Sequence, residues 1–141
     1  MPSFQLYFLK KKNLILPLEV PVSTIFLKFL SLHISSVFLK RITLGMKLQA
    51  DPTIIYGLLP NFDGDIKKTD ILDKNNLYNT YMIKGLPPTP ISISSLSSIE
   101  AAITSEPGEY LFFVADSPTS HYFSKTYDEH LNMIKKVGLD K

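Results

Sequence analysis

The spacing of apolar residues along the chain predicts short elements joined by polar turns. Ser35–Ile42 (S-S-V-F-L-K-R-I) reads as the end of an amphipathic helix, with Val37, Phe38 and Ile42 near one face. Lys40 and Arg41 fall in its last turn, where cations complement the exposed carbonyls, and Gly45 is placed to stop it. A short extended piece follows at Leu48-Gln49. Asp51-Pro52-Thr53 then opens a second helix, with Asp51 as N-cap and Pro52 at the first helical position. Ile54, Ile55 and Leu58 face inward in it, and Gly57 ends it.

Leu59–Asn76 is polar and turn-rich, with Asp63-Gly64 as a turn signal, and predicts a small hairpin or flap. Leu77–Ile83 alternates and is rich in Tyr and Thr, so it predicts a strand on which Asn79 faces away from Tyr78 and Tyr81. Pro87, Pro88 and Pro90 stiffen the next loop. Ser94 or Ser95 caps a helix through Ile103 that turns Leu96, Ile99 and Ile103 to one face. Glu109–Ala115 reads as a buried strand, and His121-Tyr122-Phe123 as its hairpin partner across Asp116–Ser120. Tyr127–Val137 closes the chain as a helix with Leu131, Ile134 and Val137 inward and His130 on the solvated side. Helices mixed with short β-hairpins place the fold in the α+β class.

Composition narrows the function classes. The chain has 141 residues, 45% hydrophobic and 20% charged, enough for one domain with a core. A net charge of +2 without a basic stripe argues against a nucleic-acid partner. No cysteine is present, which removes disulfides and thiolate metal sites, and no His or carboxylate pair has metal-ligand spacing. No cofactor is called for. Glu100, Glu106 and Glu109 read as surface acids.

The charges are unevenly spread. Residues 1–46 hold a single carboxylate, Glu19, against Lys10, Lys11, Lys12, Lys28, Lys40 and Arg41. Lys10-Lys11-Lys12 before Leu14–Leu32 resembles a targeting segment. Pro17, Glu19, Pro21 and Lys28 interrupt it, and one charge in mid-membrane costs roughly 3 kcal/mol.

Several blocks stand in a fixed order along the chain: S-V-F-L-K-R (Ser36–Arg41) before Gly45-Met46, L-Q-A-D-P-T-I-I-Y-G (Leu48–Gly57), Y-N-T-Y (Tyr78–Tyr81) and G-L-P-P-T-P-I (Gly85–Ile91). S-I-E-A-A (Ser98–Ala102), Y-L-F-F-V-A-D (Tyr110–Asp116) and H-Y-F-S-K-T-Y-D-E-H-L (His121–Leu131) complete the order. Together they resemble the MltG/YceG family of endolytic murein transglycosylases. Chance does not arrange six or more such blocks over about 100 residues. The resemblance begins at Ser35, so residues 1–34 are read as a segment foreign to the family, from a frameshift or a spurious start. Residues 35–141 are read as the C-terminal part of the catalytic domain. The upstream half of that domain, with its membrane anchor and LysM-like subdomain, is then expected to be missing. Val37 and Phe38 would lack a packing partner, leaving Ile54 and Phe113 partly exposed.

Membership implies a lytic transglycosylase acting on peptidoglycan glycan strands, at the inner membrane facing the periplasm, with cell-wall synthesis proteins as further partners. One glutamic acid protonates the glycosidic oxygen and then acts as base on the muramic acid 6-hydroxyl. By family spacing it falls at Pro21–Thr24, where no carboxylate stands; Glu19 is the sole nearby candidate. The resemblance implies a glycan cleft lined by Gln49, Asp51, Tyr56, Tyr78, Asn79, Tyr81 and His121. The bland alternatives stay open: a helix cap for Asp51, core packing for Tyr56, a structural hydrogen bond for Asn79, and an ordinary hairpin position for His121. A non-catalytic glycan-binding or division-complex module is the alternative function.

Overall fold

The structure is a computed structural model and describes residues 24–117 and 120–139. Glu19, the Lys10–Lys12 run, Pro17 and Pro21 lie outside the described residues. Five helices and one two-stranded antiparallel sheet are present among them, so the α+β class is observed. The elements are α1 (Thr24–Thr43), α2 (Asp51–Leu58), α3 (Lys68–Leu72), α4 (Leu96–Thr104), β1 (Phe112–Ala115), β2 (His121–Ser124) and α5 (Tyr127–Lys136). No helix among the described residues is long and apolar enough to cross a membrane. The chain divides into two compact units, Arg41–Ser94 forming one and residues 24–40 with 95–139 the other.

The unit of residues 24–40 and 95–139 is built on an aromatic hairpin. The expected partners β1 and β2 pair in the register Phe112↔Ser124, Phe113↔Phe123, Val114↔Tyr122 and Ala115↔His121. Phe113, His121 and Phe123 lie on one side of the hairpin by strand alternation. Phe113 meets Phe38 of α1 edge-on at 5.7 Å between ring centres, and Phe123 meets His33 at 5.4 Å. Val37, beside Phe38, is 1% exposed. The hairpin thus gives Phe38 a packing partner, while Phe38 and Phe113 both stay half-buried, Phe113 partly exposed as expected. Phe112 points the other way, onto α5, where His130 stacks on it at 5.2 Å. His130 is thus half-buried against an aromatic face, not solvated as its place on the helix suggested.

Both ends of α5 are locally encoded. Thr126 Oγ1 accepts from the Glu129 amide and Glu129 Oε2 accepts from the Thr126 amide, a reciprocal cap. Lys135 and Lys136 occupy the last turn, and Gly138 ends it at φ 72°. Helix α4 is capped by Ser95, whose Oγ accepts from the Ser98 amide. Its apolar face is not the buried one: Leu96 and Ile103 are 73% and 77% exposed, while Ala101 is buried. A helical period marks an apolar stripe, but here the small Ala101 side is the one that packs closely.

The Arg41–Ser94 unit has a core in which polar side chains outnumber apolar ones. Leu48, Ala50 and Ile54 are buried, and so are Arg41, Thr53, Asn76, Asn79 and Thr80. Ile54, expected to be partly exposed, is fully covered. Gly45 terminates α1 in a left-handed conformation, with the Met46 amide donating to Arg41 O and the Gly45 amide to Ile42 O. Ile42, placed by the pattern on the packed face, is exposed at this end.

Two expectations fail in this unit. No hairpin forms in Leu59–Asn76; Asp63-Gly64 makes its turn, and α3 follows, its start held by Asp70 Oδ2 accepting from the Lys67 amide. Leu77–Ile83 is a coil of turns and not a strand. Its asparagines override the β propensity of its tyrosines and threonines. Asn76 Oδ1 accepts from the Tyr78 amide and Asn79 Oδ1 from the Tyr81 amide, each a side chain closing a turn two residues on.

Gly57 does not end α2, which runs to Leu58; it is needed for a close approach. A Cβ there would sit 1.8 Å from Asn76 Oδ1. Asn76 cannot swing aside freely, because its Nδ2 donates to Ile54 O at 3.1 Å and its Oδ1 is bound by Tyr78. Overpacking costs about 1–3 kcal/mol, against about 1 kcal/mol that alanine gains in a helix interior. Gly57→Ala is therefore expected to lower the urea unfolding free energy, and Gly57→Ala plus Asn76→Gly to lose less than the sum of the two single losses, because the clash disappears with the side chain.

Candidate functional site

The Leu48–Asp51 and Asn79–Tyr81 segments, about 30 residues apart, are stitched side by side. The Gln49 amide donates to Thr80 O at 3.1 Å, and the Ala50 amide donates to Thr80 Oγ1 at 2.9 Å. The Tyr81 hydroxyl donates to Asp51 Oδ1 at 2.7 Å. Thr53 closes the circuit. Its single hydroxyl proton goes to Ala50 O at 2.6 Å, so the Thr80 hydroxyl is the donor in the 2.9 Å contact between the two threonines.

Asp51 is not the cap of α2. Ala50 occupies that position without a side-chain bond, and Asp51 is the first helical residue. Its carboxylate sits at the positive end of the helix and holds Tyr81.

Asn79 is 0% exposed. Its Nδ2 donates to the carbonyls of Asp70, Ile71 and Asp73 at 3.0, 3.0 and 2.8 Å. These carbonyls lie at the C-terminal end of α3, where a five-residue helix leaves most of them without a partner of its own; Asp70 O also accepts from the Asp73 amide. The structural alternative for Asn79 describes its contacts: it presents no polar atom to solvent and ties α3 to the Tyr78–Tyr81 turn.

Arg41, placed by the sequence in the last turn of its helix as a complement to the exposed carbonyls, is 6% exposed. Its Nη1 donates to Lys47 O, Leu48 O and Gln49 Oε1 at 3.2, 2.9 and 3.3 Å. Burial pushes its pKa below the ordinary guanidinium range, and Tyr81 opposes that shift. Gln49, exposed between buried Leu48 and Ala50, has φ 52°, the left-handed region that glycine favours. Pattern reasoning missed Arg41, Thr53 and Thr80, because nothing local marks a residue whose partners arrive from a later turn.

Tyr56 and Tyr78 form a separate aromatic pair, 4.7 Å between ring centres and tilted by 55°. The Tyr78 hydroxyl shares a 2.7 Å hydrogen bond with Thr89 of the proline-rich loop. His121 belongs to the other unit, at the first position of β2. Its ring lies 5.8 Å from that of Phe113, and its Nδ1 is buried without a hydrogen-bond partner among the described residues. No group of three or more His, Cys, Asp or Glu residues that could hold a metal occurs among the described residues.

Known proteins resemble this chain. Residues 31–136 match the model of the YceG-like family. The endolytic murein transglycosylase of Bacillus subtilis is 40% identical over 97 residues, covering 69% of this chain and 26% of that protein. The protein of the same name from Streptococcus pneumoniae is 30% identical over 101 residues, covering 69% and 18%. A crystal structure of a YceG-like protein from Listeria monocytogenes superposes with a TM-score of 0.64 at 42% identity, over 71% of this chain and 32% of that one. The chain thus spans about a quarter or less of the curated relatives it matches.

Two outcomes are expected of this geometry. Asn79→Ala strips the Ile71 and Asp73 carbonyls of this donor, while Asp70 O keeps the Asp73 amide, and it is expected to cost about 3 kcal/mol in denaturant unfolding. The second concerns pH. Burial lowers the His121 pKa below its ordinary 6.5, with Asp116 opposing. Between the folded and unfolded values the unfolded chain binds more protons, so stability rises with pH there. Thermal stability is expected to fall as the pH drops below about 6.5, and His121→Gln to flatten that fall in melts from pH 7 to 5.

Proposed function

The chain belongs to the YceG-like family, and from that premise we propose that it forms a sugar-facing part of an endolytic murein transglycosylase acting on MurNAc–GlcNAc bonds of peptidoglycan. What chiefly supports this is the network joining the two most family-like blocks, Leu48–Gly57 and Tyr78–Tyr81, with Gln49 exposed upon it.

In such a reaction one carboxylic acid protonates the glycosidic oxygen as the bond to the anomeric carbon breaks. The resulting carboxylate takes the proton of the muramic acid 6-hydroxyl while that oxygen attacks the same carbon. The product is a 1,6-anhydro sugar, and no water is consumed, so a second catalytic carboxylate is not needed. In this proposal Gln49, Asp51 and Tyr81 bind polar groups of the sugars. Tyr56 and Tyr78 offer aromatic faces to pyranose rings. Asn79 and Arg41 hold the loops that carry them. The proposed setting is the periplasmic face of the inner membrane, beside proteins of cell-wall synthesis.

One observation favours a second reading, a glycan-binding or division-complex module without catalysis. The expected position of the acid, Pro21–Thr24, carries no carboxylate, and Glu19 is the nearest one. The full chain is expected to be retained on purified glycan strands and to leave a peptidoglycan zymogram uncleared. Clearing that Glu19→Gln abolishes would instead place the acid at Glu19. Neither retention nor clearing would sink both readings.

A further inference from the structure

We infer that Arg41 is a positioning residue that fixes the Gln49 amide with its NH₂ outward, making Gln49 a dedicated hydrogen-bond donor to the acetamido carbonyl of an amino sugar. The inference rests on the glycan reading above and adds to it which group is recognised and how.

The chemistry at Arg41 sets the direction. A guanidinium has only N–H donors, so an amide facing it must present its oxygen. Gln49 Oε1 lies 3.3 Å from Arg41 Nη1, which points the Nε2 hydrogens away. Among the described residues Nε2 makes no hydrogen bond, and the side chain is exposed. Arg41 itself cannot turn aside, because it is buried and the same Nη1 also binds the carbonyls of Lys47 and Leu48. The carbonyls on either side of Lys47-Leu48 are thus locked to the group that locks the amide.

The backbone at Gln49 adds an independent observation. A glutamine held at φ 52° is strained, since its Cβ crowds the following carbonyl. Glycine would take this conformation without strain. Strain of this kind persists where the surrounding structure over-determines the residue, and it collects at ligand sites. Here the surroundings are the Gln49 amide bond to Thr80 O on one side and the Arg41 clamp on the other.

An outward-facing donor pair calls for an acceptor on the ligand. On a glycan strand of N-acetylated sugars, the amide carbonyl of the acetamido group is a stronger acceptor than a hydroxyl or ring oxygen. A de-N-acetylated sugar has an ammonium there and no acceptor to offer.

The test uses the full chain and two probes, a fully N-acetylated glucosamine hexamer and the free-amine hexamer, titrated at 150 mM salt. The unmodified protein is expected to prefer the acetylated hexamer. Gln49→Met is expected to lose about three- to tenfold in affinity for it, with affinity for the free-amine hexamer unchanged. Arg41→Met should reproduce that loss, Arg41→Lys should restore part of it, and the double variant should lose no more than either single one. Gln49→Gly should melt at a higher temperature while losing the preference, separating strain from recognition. Acetyl preference that survives in Gln49→Met overturns the inference while leaving the glycan reading intact. If the unmodified protein binds neither hexamer nor glycan strands, the glycan reading falls and this inference with it. Gln49→Met keeps the test decisive even if Arg41→Met unfolds.

Discussion

The Arg41–Ser94 unit depends on one buried amide. Asn79 gathers three carbonyls at the end of α3 with its Nδ2 and closes the Tyr81 turn with its Oδ1. It ties the later turn to α3, and Asn76 Nδ2 ties the same turn to α2 through Ile54 O. With Asn79 in place, Thr80 meets Gln49, Ala50 and Thr53, and Tyr81 meets Asp51. A core with so few large apolar side chains gains little from burial alone. Its specificity comes from buried donors shared among the acceptors around them, where a group left without a partner costs about 1–3 kcal/mol.

The other unit follows a different rule. Its hairpin is short and would be marginal alone. Aromatic rings on both sides of it, Phe113 and Phe123 toward α1 and Phe112 toward α5, supply the packing. His121 and His130 are drawn into these contacts as rings. Their positions on strand and helix make them look like polar surface residues, yet their contacts are with phenylalanine.

Polar satisfaction and site chemistry meet at Gln49. The matching that holds the core also holds a surface residue in a backbone region it would not choose. Arg41 belongs to both roles: it satisfies the carbonyls of the Lys47-Leu48 bend and orients the amide beyond it. Membership of the YceG-like family gives this arrangement its context, with peptidoglycan sugars as the proposed ligand.

Sequence alone determined what is written locally. The ends of α1, α4 and α5 follow from Gly45, Ser95 and the Thr126/Glu129 pair, because a cap is made within four residues. The pairing of β1 with β2 follows from two apolar runs around a short turn, and the family from ordered blocks. What only the tertiary structure decided is which side chain meets which. The tyrosine- and threonine-rich stretch at Leu77–Ile83 looked like a strand, because β propensity is local, whereas the carbonyls that claim Asn79 come from α3. Asp51 looked like a cap until Tyr81 arrived as its partner. Arg41 read as a last-turn complement to the helix dipole until the chain turned at Gly45 and laid three oxygens across it. Hydrogen bonds to distant backbone leave no period in the sequence, so the site they build is legible only once the chain has folded.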